Sequence, residues 1–431
     1  MSSMFRALAV PNYRLWFAGA LVSNVGTWMQ RVAQDWLVLT SLTEHSGTAV
    51  GITTGLQFLP ILFLGPYAGL IADRHRKRRL LLLTQTAMGL CALVLGLLVV
   101  TGTVQLWHVY AIALALGIGS AFDAPARQAF VSEVVGQDDV PNAVALNSAS
   151  FNTARLAGPG LAGLLIAWLG TGLAFLVNSA SFAAVILALW RMRSTELSPA
   201  VRAGRGKHQI REGLRYVRGR PDLVLILVLV GVMGTFGMNS QITNAMMATS
   251  VFGKGAEEYG LLGSVMAVGT LAAALLAARR QGSRMPYLVG GSIAFGISAV
   301  AASLMPGFWL YMLMLVPVGL ASLTMLNSAN TSIQLSVEPQ FRGRVLALYM
   351  VVMQGGTPLG APLIGWIGTE FGARWAVAIG GTVPLLAGVC ALLLLSRRSG
   401  VSLRARARRL PLRRPAGRGA DRSGRGAGTP R

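Results

Sequence analysis

The sequence predicts an all-α integral membrane protein of twelve transmembrane helices in two pseudo-symmetric six-helix halves. Composition, the alternation of loop charge and an internal likeness predict it. The 431 residues are 53% hydrophobic and only 12% charged, with a mean hydropathy of +0.58. Soluble chains carry roughly 25% charged residues. Here the charges are gathered into short runs. The apolar stretches between them reach the ~20 residues that cross a ~30 Å hydrocarbon core as helix.

The first six spans are expected near Leu15–Leu39, Thr48–Ala72, Arg79–Val100, Gln105–Phe130, Ala143–Trp168 and Gly172–Trp190. The second six are expected near Asp222–Ser250, Tyr259–Ala278, Pro286–Leu304, Phe308–Leu335, Val345–Gly368 and Trp375–Leu395. Odd-numbered loops carry only Lys254 and Arg374, whereas even-numbered loops carry Arg74 to Arg79, Arg191 to Arg220, Arg279 to Arg284, and Arg342 with Arg344. Lysine and arginine stay on the cytoplasmic side, so both termini are expected there, in a cell membrane. The chain then divides into a cytoplasmic segment (1–14), a six-helix half (15–190), a basic linker (191–221), a second half (222–395) and a tail (396–431).

The net charge of +23 is explained by these loops and by the tail, where twelve arginines lie among Gly, Pro, Ala and Ser. Such a segment cannot form a core and is expected to be disordered. Attraction to anionic lipid headgroups suits it better than nucleic acid, and a solvated tail with no partner is an equal alternative. Cys91 and Cys390, far apart in apolar runs, read as small buried hydrophobes. Neither a disulfide framework nor a metal-ligand pattern is expected. The N-terminus lacks the features of a cleaved signal peptide, so the first span reads as an uncleaved anchor.

Each half looks like one copy of a six-span unit. GTWM at Gly26–Met29 corresponds to GTFG at Gly234–Gly237, and AGPGLAG at Ala157–Gly163 to GAPLIG at Gly360–Gly365. Parallel repeats of this kind place a substrate site between the halves, near the bilayer midplane.

Between the second and third spans, GLIADRHRKRR (Gly69 to Arg79) resembles the G-x-x-x-D-R-x-G-R-[RK] motif of the major facilitator superfamily. Gly69, Asp73, Arg74, Lys77 and Arg78 match, with Arg76 in place of the second glycine. GPGLAG in the fifth span resembles the Gly-Pro motif of the family's exporters. NYRLWFAG, FDAPARQAF, NAVALNSASFNTARLAGP and RGRVLALY resemble the subgroup of bacterial enterobactin exporters and drug–proton antiporters. Two departures stand out. Ala113 replaces the arginine that many antiporters carry four residues before the Gly-x-Gly of the fourth span, here Gly117–Gly119. In the second half Arg279 and Arg280 follow no aspartate. The resemblance implies alternating-access export of small molecules, with no cofactor beyond the proton gradient. It also implies an inner gate of Gly69, Asp73, Arg74, Lys77, Arg78, Asp123 and Arg127, with Glu133 nearby. In it Asp73 faces the start of the eleventh span near Arg344, and Lys77 meets Asp123.

The remaining charges lie within spans. On a helix at 100° per residue, Asn24, Trp28, Arg31 and Asp35 share a stripe, as do Asn152, Arg155, Pro159 and Gly163. Arg31 and Asp35 are one turn apart and can pair. Mutual neutralisation would explain them, yet ionisable residues at this depth usually face a cavity. The resemblance implies that the first and fifth spans line that cavity. Two arginines against one carboxylate favour anionic or polar neutral solutes such as siderophore-like compounds and antibiotics. Arginine keeps its proton, which leaves Asp35 as the proton switch. Asn239, Gln241, Asn244, Asn327 and Asn330 supply further hydrogen-bonding groups, or else bridge helices. Met233, Met238, Met246 and Met247 are expected to pack the interior. Gly158, Pro159, Gly163, Pro358 and Pro362 are expected to let the helices flex.

No G-x-x-x-x-G-K-[ST] sequence is present, which disfavours ATP as the driver. An importer on the same fold is the alternative. A membrane enzyme is disfavoured because His45, His75, His108 and His208 all fall in loops or at span edges. A non-transporting sensor would depend on its tail. The chain is expected to act as a monomer, with small-molecule substrate and bilayer as its partners.

Overall fold

The computed structural model describes residues 3–197, 209–278 and 284–398. Expectations for Arg279, Arg280, residues 198–208 of the linker and the tail beyond residue 398 lie outside the described residues. The chain falls into two units, Met1–Val389 and Cys390–Arg431. The described part of the second is the end of the last helix, and the helical bundle belongs to the first.

Pro11 opens α1 (Pro11–Leu37), at a position where its missing N–H is no loss. α1 runs into a wide π-helical turn, Val38–Leu42. The chain then reverses through His45 in a left-handed conformation (φ 59°). Ser46 starts α2 (Gly47–Arg74), its hydroxyl accepting the Ala49 N–H at 3.2 Å, a standard N-cap. α3 (Lys77–Val100) and α4 (Leu106–Val134) follow. Gln105 and His108 close the first turn of α4 by a reciprocal capping box.

α5 (Val140–Arg191) is 52 residues long. At 1.5 Å per residue it would extend about 78 Å, more than twice a hydrocarbon core. The chain folds back at Gly170 (φ 80°, ψ 169°), a conformation that only glycine adopts without strain. α1 reports on both arms. Tyr13 bonds the Ala143 carbonyl and Asn24 bonds Ser150, so α1 and the first arm run parallel. Asn12 bonds the Arg193 carbonyl and Gln30 bonds Asn178, so the second arm runs back.

α6 (Gln209–Arg218) is a short amphipathic helix in the linker. The seventh span is built of α7 (Pro221–Val232), a wide turn Met233–Gly237, α8 (Ser240–Met246) and a second wide turn Met247–Val251. Then come α9 (Ala256–Ala278), α10 (Met285–Ser303) and α11 (Phe308–Ser336). The eleventh span breaks at Gly356 into α12 (Pro339–Gly355) and α13 (Thr357–Phe371), and α14 (Ala373–Arg398) completes the fold.

Ten stretches of the described residues are long and apolar enough to cross a membrane, and the folded α5 region, Gln137–Arg191, is one of them. α5 serves as two spans. α1 does not meet the same apolarity threshold because Asn24, Gln30, Arg31, Gln34 and Asp35 interrupt it. With both taken into account the spans are twelve.

The halves meet through close helix pairs. α2 packs antiparallel on α13, and a methyl group on Gly51 would lie 2.3 Å from the Ala361 carbonyl. The first arm of α5 packs on α9, where a methyl on Gly260 would lie 2.3 Å from the Pro159 carbonyl. Small residues permit such backbone approach, the usual basis of helix association in lipid. One core cluster spans both halves: Leu37, Leu39, Val50 and Phe175 pack with Ile242, Met246, Tyr259, Tyr311 and Ala361. These residues come from the end of the bundle that holds the His45 and Gly170 turns. At the opposite end a separate cluster holds Tyr13, Trp16, Phe130, Val131 and Leu189, all from the first half. Among the described residues, the apolar seal between the halves is thus the cluster at the His45 and Gly170 end.

Candidate functional site

The α1 stripe is placed at the junction of the halves. Asp35 is 4% exposed, and its carboxylate accepts a 3.3 Å hydrogen bond from the Tyr259 hydroxyl on α9. The Tyr259 ring stacks on Trp36 (5.9 Å, 18°), and its hydroxyl also approaches the Gln241 carbonyl at 3.4 Å. Arg31 turns the other way. Its guanidinium carbon lies 5.0 Å from the Trp28 ring centre and 5.6 Å from that of Phe58 on α2, and its buried Nε has no hydrogen-bond partner. The Arg31–Asp35 pair expected from their spacing is not made. Long helical side chains lean toward the N-terminus. Arg31 thus leans back over Trp28, where a cation over an aromatic face is favoured, and Asp35 reaches across to Tyr259.

On α5, Arg155 has a buried Nη2 without a hydrogen-bond partner. Asn152 bonds its own helix, at the Ser148 carbonyl (2.8 Å). Trp28 links the two helices: its ring meets Phe151 edge-on at 5.9 Å, and a methyl on Gly158 would lie 2.5 Å from its Cβ. Asn24 reaches Ser150 at 3.3 Å. Arg31 and Arg155 are therefore carried by one packed helix pair.

The polar residues of the second half are partly spent on structure. Asn239 donates to the Thr235 carbonyl at 2.7 Å, with its buried Oδ1 unbonded. Asn244 accepts from the Tyr311 hydroxyl at 2.7 Å. Asn330 accepts from Gln334 one turn on, and Asn327 is half-buried. Met233, Met246 and Met247 are buried in packing, whereas Met238 is exposed. Pro159 and Gly163 sit against α9, and Pro358 and Pro362 against Gly55 on α2.

At the terminal end of the first half lies the charged cluster. Lys77 pairs with Glu133 at 2.8 Å, both side chains about nine-tenths buried. Asp123 accepts from Arg127 (3.1 Å), Thr84 (2.9 Å) and Gln85 (2.7 Å). The Lys77–Asp123 contact is thus corrected to Lys77–Glu133. The reason is register. α3 and α4 run antiparallel, with Met88 beside Ser120 and Gln85 beside Asp123, so Lys77 falls level with Glu133, ten residues beyond Asp123. Arg127 also lies over the Trp16 ring at 5.3 Å. Arg78 donates to the Leu189 and Trp190 carbonyls, capping the second arm of α5. Gly69 lies in the last turns of α2, Arg74 is exposed at its end, and the Asp73 side chain lies outside the described residues. Arg344 pairs with Glu212 of α6 at 2.5 Å.

Sequence reasoning missed Tyr259 and Tyr311. Their signal was weak: each is a tyrosine within a turn of the start of an apolar span, a position that ordinarily reads as an interfacial anchor.

A family model described as transmembrane secretion effector matches residues 2–412. The staphyloferrin A transporter of Staphylococcus aureus is 26% identical over 83% of this chain and 90% of its own length. The multidrug efflux pump Tap of Mycolicibacterium fortuitum is 27% identical over 87% of this chain and 93% of its own. A solved bacterial homologue of the human lysosomal transporter Spinster, inward-facing and unoccupied, superposes with a TM-score of 0.70 at 18% identity, covering 90% of this chain and 96% of that one. That last likeness is one of fold.

Proposed function

The chain belongs to the transmembrane secretion effector family of the major facilitator superfamily, a family of membrane transporters and not a class of enzymes, and from that premise we propose that it exports small anionic or polar amphipathic molecules, siderophore-like compounds or antibiotics, in exchange for protons. The observation that carries the reading is the Asp35–Tyr259 hydrogen bond, which ties the first half to the second beside the apolar seal. A carboxylate accepts this bond more strongly than a carboxylic acid does. Protonation of Asp35 weakens the tie, and a change of a few kcal/mol is enough to change which conformation dominates. The substrate leg rests on Arg31 and Arg155, whose buried guanidinium N–H groups have no hydrogen-bond partner. An anion entering between the halves satisfies them. Trp28, Phe58 and Phe151 beside them offer apolar faces for the rest of an amphipathic solute.

In this reading the protein is a monomer in the cell membrane with both termini cytoplasmic, and it needs no bound cofactor and no nucleic acid. The basic loops support the orientation. The end of the bundle opposite that seal then faces the cytoplasm, where an exporter loads. The test compares accumulation of anionic, neutral and cationic compounds in cells with and without the chain, with the proton gradient collapsed as control. Asp35→Asn is expected to abolish uphill export yet retain downhill exchange. Tyr259→Phe, which keeps the stacking on Trp36, is expected to reduce it. Uphill export by Asp35→Asn at the parent rate sinks the proton assignment, and protection against lipophilic cations alone sinks the substrate assignment.

A further inference from the structure

α1 carries a second polar face. Trp16, Ser23, Gln30 and Gln34 are buried, at most 4% exposed. Each holds a polar atom without a hydrogen-bond partner, respectively Nε1, Oγ, Nε2 and Oε1. At about 100° per residue the four lie within about 40° of one another, in a seam about 27 Å long. It lies about 100° round the helix from the stripe of Asn24, Trp28, Arg31 and Asp35. Gln30 accepts from Asn178 on the second arm of α5, and Trp16 meets Phe130 of α4 at 5.2 Å. The seam thus faces the interior of the first half.

Gln34 directly precedes Asp35, so one end of the seam lies beside the apolar seal. At the other end Arg127 lies over the Trp16 ring and bonds Asp123, which also accepts from Gln85. Arg127 Nη1 and Gln85 Oε1 are buried and unpartnered as well. The Arg127 side chain is 23% exposed, so this end reaches solvent. Buried polar groups without a protein partner ordinarily bond water, which takes about three of them. The donors Trp16 Nε1 and Arg127 Nη1 and the acceptor Gln85 Oε1 suit one water that accepts two bonds and donates one. We infer that the seam binds a file of water and, resting on the reading of Asp35 as the proton site, that this file carries its proton to the cytoplasm. The Asp35 O–H bond breaks and its proton passes to the nearest water. Each water hands one proton on, and the last releases one to solvent beside Arg127. Asp35 is left as a carboxylate, and the waters are unchanged in number. The Ser23 hydroxyl and the amides of Gln30 and Gln34 orient the waters. A substrate at Arg31 and Arg155 therefore does not block the proton.

The first test is hydroxyl-radical labelling of the purified full chain in heavy-oxygen water, read residue by residue by mass spectrometry. Trp16 and Phe175 are both 0% exposed, but Phe175 lies in the apolar seal. Trp16 is expected to take up the label and Phe175 to take up none. A Trp16 as unlabelled as Phe175 overturns the inference and leaves the proton assignment of Asp35 standing. The second test follows the infrared absorption of the Asp35 carboxyl group after a jump from acid to neutral pH. Its band is identified by its loss in Asp35→Asn. Ser23→Val and Gln34→Leu are each expected to slow its decay about tenfold. Ser23→Thr, which matches valine in size and keeps the hydroxyl, should decay at the parent rate. Parent-like decay in both Ser23→Val and Gln34→Leu overturns the inference, as does equal slowing by Ser23→Val and Ser23→Thr. If Asp35→Asn removes no band, the proton reading fails and this route fails with it.

Discussion

Lys77 and Glu133 show how much a single residue can carry. Their side chains meet at 2.8 Å, away from water. Breaking a buried pair by removing one partner strands the other and costs about 3–5 kcal/mol. Lys77→Ala is therefore expected to lower the thermal stability of the purified protein by more than Asp123→Asn, whose hydrogen-bond partners remain. The exchange Lys77→Glu with Glu133→Lys should recover most of the loss. Equal melting temperatures for Lys77→Ala and the parent would show that the pair is worth nothing. At this scale the sequence reveals which residues matter more readily than what they touch. Arg31, Asp35 and Arg155 stand out because a charge in an apolar run is costly. Tyr259, the partner of Asp35, lies 224 positions away, and no local period points to it. Lys77 had two acids to choose from on α4, and only the register of two packed helices decides between them.

At the scale of elements the alternation of apolar runs and basic loops places every span, because length and charge are what a bilayer selects. The wide turns at Val38–Leu42, Met233–Gly237 and Met247–Val251 leave no such mark. One residue more per turn does not change composition. The glycines of α2 and α13 are legible as small residues, but their function comes from a neighbour's backbone. A side chain at Gly51 would meet the Ala361 carbonyl at 2.3 Å, and backbone cannot swing aside as a side chain can. Gly51→Val is expected to force α2 and α13 apart and to cut transport at least tenfold, the change that 1.36 kcal/mol produces, while the chain still inserts. Its readout is the transport rate at matched amounts of membrane-inserted protein. A parent-like rate would mean that this approach is not needed for the cycle.

Considered whole, the two halves are sealed at the end holding the His45 and Gly170 turns. Thr48 and Thr369 mark that seal, their hydroxyls 3.2 Å apart and the Thr48 N–H bonded to the Thr369 hydroxyl at 3.0 Å. Side chains this close can be replaced by a disulfide when their Cβ atoms point together. In a chain whose Cys91 and Cys390 have been changed to serine, Thr48→Cys with Thr369→Cys is expected to cross-link on oxidation. Transport should stop and return on reduction. A cross-linked protein that still transports at the parent rate would show that this end never opens. The seal was not legible in advance, since twelve spans with the same loops describe every state of the cycle equally well.

The reversal at Gly170 has a mechanical consequence. Two spans joined by a single residue form a folded bar with no slack at the bend. Its first arm lies against α9 and its second arm lies along α1 and α3. Any tilt imposed on the first arm is handed to the second through that bend, and from there to α1 and α3. A push on the first arm from α9 thus becomes leverage on the rest of the first half.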